Sequence, residues 1–176
     1  MISDEERTRL RERALDYLHQ AGIAIRQDEA ERMEITDFGL GEAESSGLEI
    51  IVYVNNDRYC AKELVLLPGQ TCPQHRHPPV AGRPGKQETF RCRWGDVYLY
   101  VPGGPTPSPR AQPPPRRREY YTVWHEVLLR PGDQYTLPPD TWHWFQGGPQ
   151  GAIVSEFSST STDEADEFAD PQIRRV

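Results

Sequence analysis

Two histidines, His75 and His77, stand two residues apart in HRHPPVAGRPGKQETF, with Glu88 thirteen residues beyond the first of them. On an extended chain, residues two apart point to the same face. Glu88 opens an apolar run in which Glu88, Phe90 and Cys92 share one face, while Thr89, Arg91 and Arg93 share the other. The second set is polar, so Glu88 faces inward. A buried carboxylate needs a partner. Two imidazoles on the same interior serve that carboxylate if a metal ion joins them. His143, after Pro138-Pro139-Asp140 and between Trp142 and Trp144, is the candidate fourth ligand. Three imidazoles and a carboxylate suit a first-row divalent ion: Mn, Fe, Co, Ni or Zn. Four protein ligands on an octahedral ion leave two positions for a bidentate substrate. The competing reading makes these histidines hydrogen-bonded polar residues of a barrel mouth. His-x-His, an inward Glu and a His after PPD together favour the metal.

These residues must be held by strands. From about residue 34 the chain reads as short β-rich runs separated by turn signals: EIIVYVNNDRYCAKELVLLPGQ, ETFRCRWGDVYLYV, YYTVWHEVLLRPGDQYTL and HWFQGG followed by GAIVSEF. This spacing predicts an all-β barrel or sandwich. Residues 3–21 predict one amphipathic helix. Ser3 and Glu6 form an S-x-x-E capping box, Leu10, Ala14, Leu18 and Ala21 fall at helical spacing, and Gly22 stops it. The organisation expected is an N-terminal helical segment (1–33), a barrel (34–160) and a tail packed on it (161–176). The Pro-rich stretch 102–118 is expected to be a loop joining the two halves of the barrel. Its run Arg116-Arg117-Arg118 reads as solvated.

At 176 residues the chain fits one domain that needs no disulfide staples. A net charge of −7 argues against nucleic acid or an anionic membrane as partner. No apolar run approaches a membrane span, and MISDEERTRL lacks the apolar core of a secretory signal. Cys60, Cys72 and Cys92 are odd in number and form no CxxC, so reduced thiols and a cytoplasmic location are expected.

The spacings Gly69–His75-x-His77, Glu88–Gly95 and Gly132–Pro138–His143 resemble the two motifs of the cupin superfamily. Asp140 stands where the second motif has Gly, and Gly147 where it has Asn. TDFGLG, NNDRYCAKELVLLPGQ, the His-x-His-Pro, GKQETFR, SEFS and DPQIRR are similar to the D-lyxose isomerase family of small cupins, over most of the chain from residue 36. That family also accounts for the long His-to-Glu gap containing Gly-Lys. The resemblance implies a jelly-roll barrel, His75, His77, Glu88 and His143 as ligands of Mn²⁺ or a related ion, and Lys62, Lys86 and Glu156 beside a monosaccharide. Cupins often dimerise through sheet faces or exchanged termini, so a homodimer is expected.

The residues bear on this independently. Lys86 has the parity of Glu88, Lys62 that of Leu64 and Leu66, and Glu156 interrupts the apolar AIVSEFS. Each alone has a bland reading, a snorkelling lysine or a strand-end glutamate. Asp170 could bind substrate or start a surface turn, as Asp-Pro often does. Trp144 could stack on a sugar or pack in the barrel. The reaction the resemblance implies is aldose–ketose isomerisation, D-lyxose to D-xylulose and also D-mannose to D-fructose, by proton transfer through a cis-enediol, with Glu156 the base and Lys62 and Lys86 assisting at the oxygens. An iron-dependent cupin dioxygenase would show the same ligands, and a non-catalytic sugar-binding cupin is the third reading.

Overall fold

The computed structural model describes residues 2–174; of the C-terminal tail, residues 175–176 lie outside the described residues. The described residues form two α-helices, α1 (Asp4–Gln20) and α2 (Gln27–Glu31), two 3₁₀ turns and nine strands. These are β1 (Glu34–Thr36), β2 (Leu48–Asn55), β3 (Cys60–Leu66), β4 (Thr71–Arg76), β5 (Glu88–Val101), β6 (His125–Leu129), β7 (Gln134–Leu137), β8 (His143–Ser158) and β9 (Glu167–Phe168). Every strand pairing is antiparallel.

Two long strands organise the barrel. The runs on either side of Gly95-Asp96, and HWFQGG with GAIVSEF, are not separate strands but continue as β5 and β8, which pair from Glu88↔Ser158 to Tyr100↔Trp144. The ribbon bends at bulges near Gly95 rather than reversing. Gly95 has φ +67°, and a Cβ there would sit 2.1 Å from the Gly151 carbonyl oxygen. Only glycine permits both the left-handed backbone and that close approach. Beyond the bend each strand changes partners. The first half of β5 pairs with β7 and the second with β6; the first half of β8 pairs with β4 and the second with β3. One sheet therefore runs β1-β2-β3-β8-β5-β7 and the other β9-β4-β8-β5-β6, joined by strands common to both. This is the double-stranded β-helix of a cupin.

The interior between the sheets is filled by Leu64, Leu66, Phe90, Cys92, Val97, Leu99, Phe145 and Val154. Each outer face carries its own cover. Ser3 caps α1 by accepting the Glu6 N–H at 3.2 Å, and Leu10, Ala14 and Leu18 pack on Ile35, Ile51, Val65 and Ile153. Burying Leu10 and Leu18 contributes roughly 1.5–3 kcal/mol each. The other face is covered by the Pro/Arg-rich excursion. This segment leaves β5 and returns to β6, two strands that pair with each other, so it caps a hairpin and does not join the halves of the barrel. It seals a cluster of Tyr98, Tyr100, Ala111, Tyr121 and Trp144. Arg117 is not solvated: its side chain is 13% exposed and pairs with Asp170 at 2.7 Å.

Candidate functional site

The bent ribbon brings its own ends together. His143 begins β8, Glu88 begins β5, and Glu156 lies near the end of β8. His75 pairs with His143 across β4 and β8, and His77 follows one residue after β4 ends. One ligand atom from each of His75, His77, Glu88 and His143 lies within 4.8 Å of the others, and all four residues are buried. Asp140, in the turn before His143, has φ +58°, a conformation that glycine adopts without strain.

The donor set fits a divalent cation. Nδ1–H of His75 donates to Pro73 O at 2.8 Å, and Nδ1–H of His143 donates to Thr141 O at 2.9 Å. These bonds place the lone pair on Nε2. His143 Nε2 lies 3.0 Å from Glu88 Oε1 but makes no hydrogen bond. Two buried acceptors facing each other call for a cation between them. His77 Nδ1 lies 2.5 Å from Asp166 Oδ1, and its Nε2 lies 3.2 Å from Glu88 Oε1. Lys62 and Lys86 face four carboxylates in the pocket, Glu88, Glu156, Asp163 and Asp166, an excess of acidic groups that a divalent ion would offset.

Lys86 is the hub of the remaining charges. Its Nζ lies 2.7 Å from Glu88 Oε2 and 3.0 Å from Glu156 Oε1. Burial disfavours its charge, but Glu156 and Glu88 outweigh that and hold it well above the usual lysine range. Burial likewise works to raise Glu88, yet Lys86 and His77 hold it well below the usual carboxylate range. Burial lowers His77, and Glu88 and Asp166 overcome this and lift it to about 9. A metal would displace that proton. His75, with burial first and His143 and His77 beside it, stays well below the ordinary imidazole value. Lys62 Nζ donates to Asp163 Oδ2 at 2.6 Å and Ser161 Oγ at 3.0 Å.

These groups line a narrow cavity of about 30 Å³. Its polar wall is Lys62, Lys86, Glu88, Glu156, Asp163, Asp166, His75 and His77; its apolar wall includes Phe38, Leu48, Ile50, Leu64, Phe90, Phe145 and Phe168. Lys62, Lys86 and Glu156 thus lie together, as strand parity anticipates.

Two expected substrate contacts are corrected. Trp144 alternates with His143 and Phe145 on β8 and points to the opposite face. It stacks on Tyr100 at 4.1 Å and donates its Nε1–H to Val123 O at 2.8 Å. Asp170 accepts from Arg117 at 2.7 Å and from the Gln172 N–H at 2.8 Å, and does not line the pocket. Conversely, sequence reading passed over Ser161, Asp163 and Asp166. The signal available was the i, i+3 spacing of the two aspartates, which places them on one side of the 3₁₀ turn Asp163–Ala165.

A cupin barrel with three histidines and a glutamate converging on a charged pocket defines a candidate metalloenzyme of the sugar-isomerase kind. The D-lyxose isomerase family model matches residues 117–176. A D-lyxose ketol-isomerase of Thermofilum sp. (strain ex4484_79) is 61% identical over 176 residues, 100% of this chain and 98% of the relative. A D-lyxose/D-mannose isomerase of Thermosediminibacter oceani is 59% identical over 100% of this chain and 97% of the relative. The chain belongs to the D-lyxose isomerase family. Its fold is shared with L-ribose isomerases of Cellulomonas parahominis and Acinetobacter sp. DL28, each at a TM-score of 0.83 over 98% of this chain and 94% of theirs, with 17% and 16% identity.

Proposed function

We propose that this protein is a metal-dependent aldose–ketose isomerase that interconverts D-lyxose and D-xylulose, and D-mannose and D-fructose. The observation that carries the reading is the adjacency of a metal-type ligand set to Lys86, Glu156 and Lys62 in one pocket. Full-length relatives named for D-lyxose and D-mannose isomerisation support the choice of sugars.

His75, His77, Glu88 and His143 would hold Mn²⁺, or Co²⁺, Fe²⁺, Ni²⁺ or Zn²⁺ in its place. Bound there, the ion supplies electrophilic stabilisation of charge on the sugar's O1 and O2. The remaining work belongs to the protein. Glu156 takes the C2 proton; the C2–H bond breaks, C1=C2 forms and the carbonyl electrons move to O1, which takes up the O2 hydroxyl proton relayed by Lys62. The same carboxyl then returns its proton to C1 as C2=O forms, completing the ketose. Lys86 Nζ, which donates to Glu156 Oε1, fixes the base, and Lys62 donates to the sugar oxygens as their charge develops. The burial of Lys62, Lys86 and Glu156 strengthens each of these interactions. We assign the protein to the cytoplasm, in keeping with free thiols at Cys60, Cys72 and Cys92. We also assign it a homodimeric state; Tyr53 and Phe157, both exposed, are apolar side chains available to such a contact. Among the described residues no helix is long and apolar enough to cross a membrane.

The test is ketose formation by chelator-stripped protein given D-lyxose or D-mannose, with and without Mn²⁺. Manganese-dependent xylulose or fructose is the expected outcome, and the ratio of rates ranks the sugars. Stoichiometric metal uptake without product from either sugar would overturn the reading. Oxygen consumption with Fe(II) would then indicate a dioxygenase, and tight sugar binding without turnover a binding protein.

A further inference from the structure

The three imidazoles of the ligand set are not held alike. His75 and His143 are each oriented by a backbone carbonyl two residues earlier, Pro73 O and Thr141 O. Pro73 lies in β4 and Thr141 two residues before β8 begins, so both acceptors are close in sequence to the rings they orient. His77 is oriented by a side chain from elsewhere, Asp166, 89 residues further along the chain. The turn that carries Asp166 also carries Asp163, whose carboxylate takes Lys62 Nζ at 2.6 Å and lies 3.9 Å from Lys86 Nζ. The same stretch continues into Phe168, whose ring lies 5.5 Å from that of His75 and lines the pocket. Chain 159–170 thus crosses the barrel mouth and touches a metal-type ligand, the lysine pair and the pocket wall.

We propose that Asp166 is a positioning residue for His77, and that residues 159–170 form a strap whose docking over the barrel mouth is coupled to ion binding at the candidate metal centre. The inference rests on the ligand set assigned above. Asp166 accepts the Nδ1–H of His77 and so turns Nε2 toward Glu88 and the ligand cluster. When the strap lifts, His77 loses the bond that fixes its ring and tautomer, and ion affinity falls. Linkage requires the reverse: an ion that needs His77 in this orientation favours the docked strap. The remaining attachments allow a separate motion. Beyond the Asp163 and Asp166 contacts, the strap is anchored at its ends, by the Ser159–Gln87 bonds on one side and by the Ala169 N–H to Gln74 O bond, the two-residue strand β9, the Phe168 ring against Phe38 and the Asp170–Arg117 pair on the other. Between these ends, residues 160–167 are held chiefly by side-chain bonds, the Asn55–Ser161 pair and an exposed Arg76–Glu167 pair, the profile of a segment that opens locally between fixed ends. The strap also holds Lys62 through Asp163, so the same docking sets a substrate-facing lysine at the moment the ion site is complete.

The experiment uses the full chain stripped of metal, with Mn²⁺ as the probe. Its affinity is measured by titration calorimetry, and amide hydrogen exchange is followed in peptides covering 159–170. In wild-type protein Mn²⁺ slows exchange across the strap. Asp166→Asn weakens Mn²⁺ binding about 10–100-fold, the usual cost of losing an outer partner of a metal-bound histidine. It also abolishes the Mn²⁺-dependent protection of the strap. Glu164→Gln, an exposed neighbour on the same turn, leaves both readouts at wild-type values. A purely structural strap would exchange faster in Asp166→Asn with unchanged Mn²⁺ affinity, and that result overturns the proposal. Equal exchange of 159–170 in wild-type protein with and without Mn²⁺ overturns it without need of any variant. Wild-type protein that takes up no Mn²⁺ overturns the ligand set and this inference together, whereas loss of isomerase activity with ion coupling intact touches only the proposed reaction.

Discussion

Glu88 at the barrel mouth and Glu49 beneath α1 are both shut off from solvent, at 2% and 0% exposure. Their surroundings differ. Glu88 meets Lys86 at 2.7 Å and two imidazoles at 3.0 and 3.2 Å. It stays ionised although burial opposes its charge. Glu49 stands in register between Ile35 and Val65 of the flanking strands, where Gln70 Nε2 donates to Oε1 at 3.0 Å and Oε2 has no hydrogen-bond partner. Burial raises it to about 8, against the opposing pull of Gln70 and Arg13. A carboxylate pointing inward therefore marks a reactive centre only when cations converge on it. Without them the fold keeps the proton instead.

The contrast can be pressed first at the reacting carboxylate. Glu156→Gln keeps the shape of the mouth and its ion but removes the base, so initial ketose formation falls about 10²–10⁴-fold while metal content measured by elemental analysis stays stoichiometric. A fully active Gln variant would return Glu156 to a structural role. Next in size is the cation that keeps the mouth ionised. Lys86→Met leaves Glu88 and Glu156 without their shared partner, a loss on the order of 3–5 kcal/mol, readable by urea unfolding of metal-stripped protein. An unfolding midpoint equal to wild type would mean that Glu88 does not depend on Lys86.

Beneath the helix the expectation has the opposite sign. Below about pH 4.5 Glu49 is protonated both folded and unfolded. Between there and about 8 only the folded state retains the proton, so stability falls as pH rises, by about 1.4 kcal/mol per unit for a single such group. Glu49→Gln removes that group's slope: its melting temperature exceeds wild type at pH 8 and matches it near pH 4. Melting curves across that range decide the point, and a slope as steep as wild type would place the proton elsewhere. The smallest effects belong to the two residues the fold withdraws from the pocket. Trp144→Phe loses the Val123 hydrogen bond and part of a buried ring, and Asp170→Asn loses the charge that pairs with Arg117, each costing roughly 1.5–3 kcal/mol of stability, with KM unchanged. A severalfold rise in KM would put either back beside the sugar.

The sequence alone determined which side chains can act. Period-two alternation assigned Glu88, Phe90 and Cys92 to one face and Lys62 with Leu64 and Leu66 to another, because strand geometry is local. Turn signals and the helical spacing of Leu10, Ala14 and Leu18 likewise depend on neighbours in the chain. The alternation that sends His143 and Phe145 inward also sends Trp144 outward, but without knowing what covers that outer face the sequence left both of its readings open. Tertiary structure decided the rest. Gly95 and Gly151 allow β5 and β8 to bend where separate strands were expected, and that bend carries His143 to within 3.0 Å of Glu88. The excursion at 102–124 closes over Trp144 and draws Arg117 to Asp170. The 3₁₀ turn at 163–165 delivers Asp163 to Lys62 across 101 residues of chain and Asp166 to His77 across 89. No local pattern encodes such pairs, because the energy that selects them is the cost of leaving a buried charge alone, and that cost exists only once the barrel has closed.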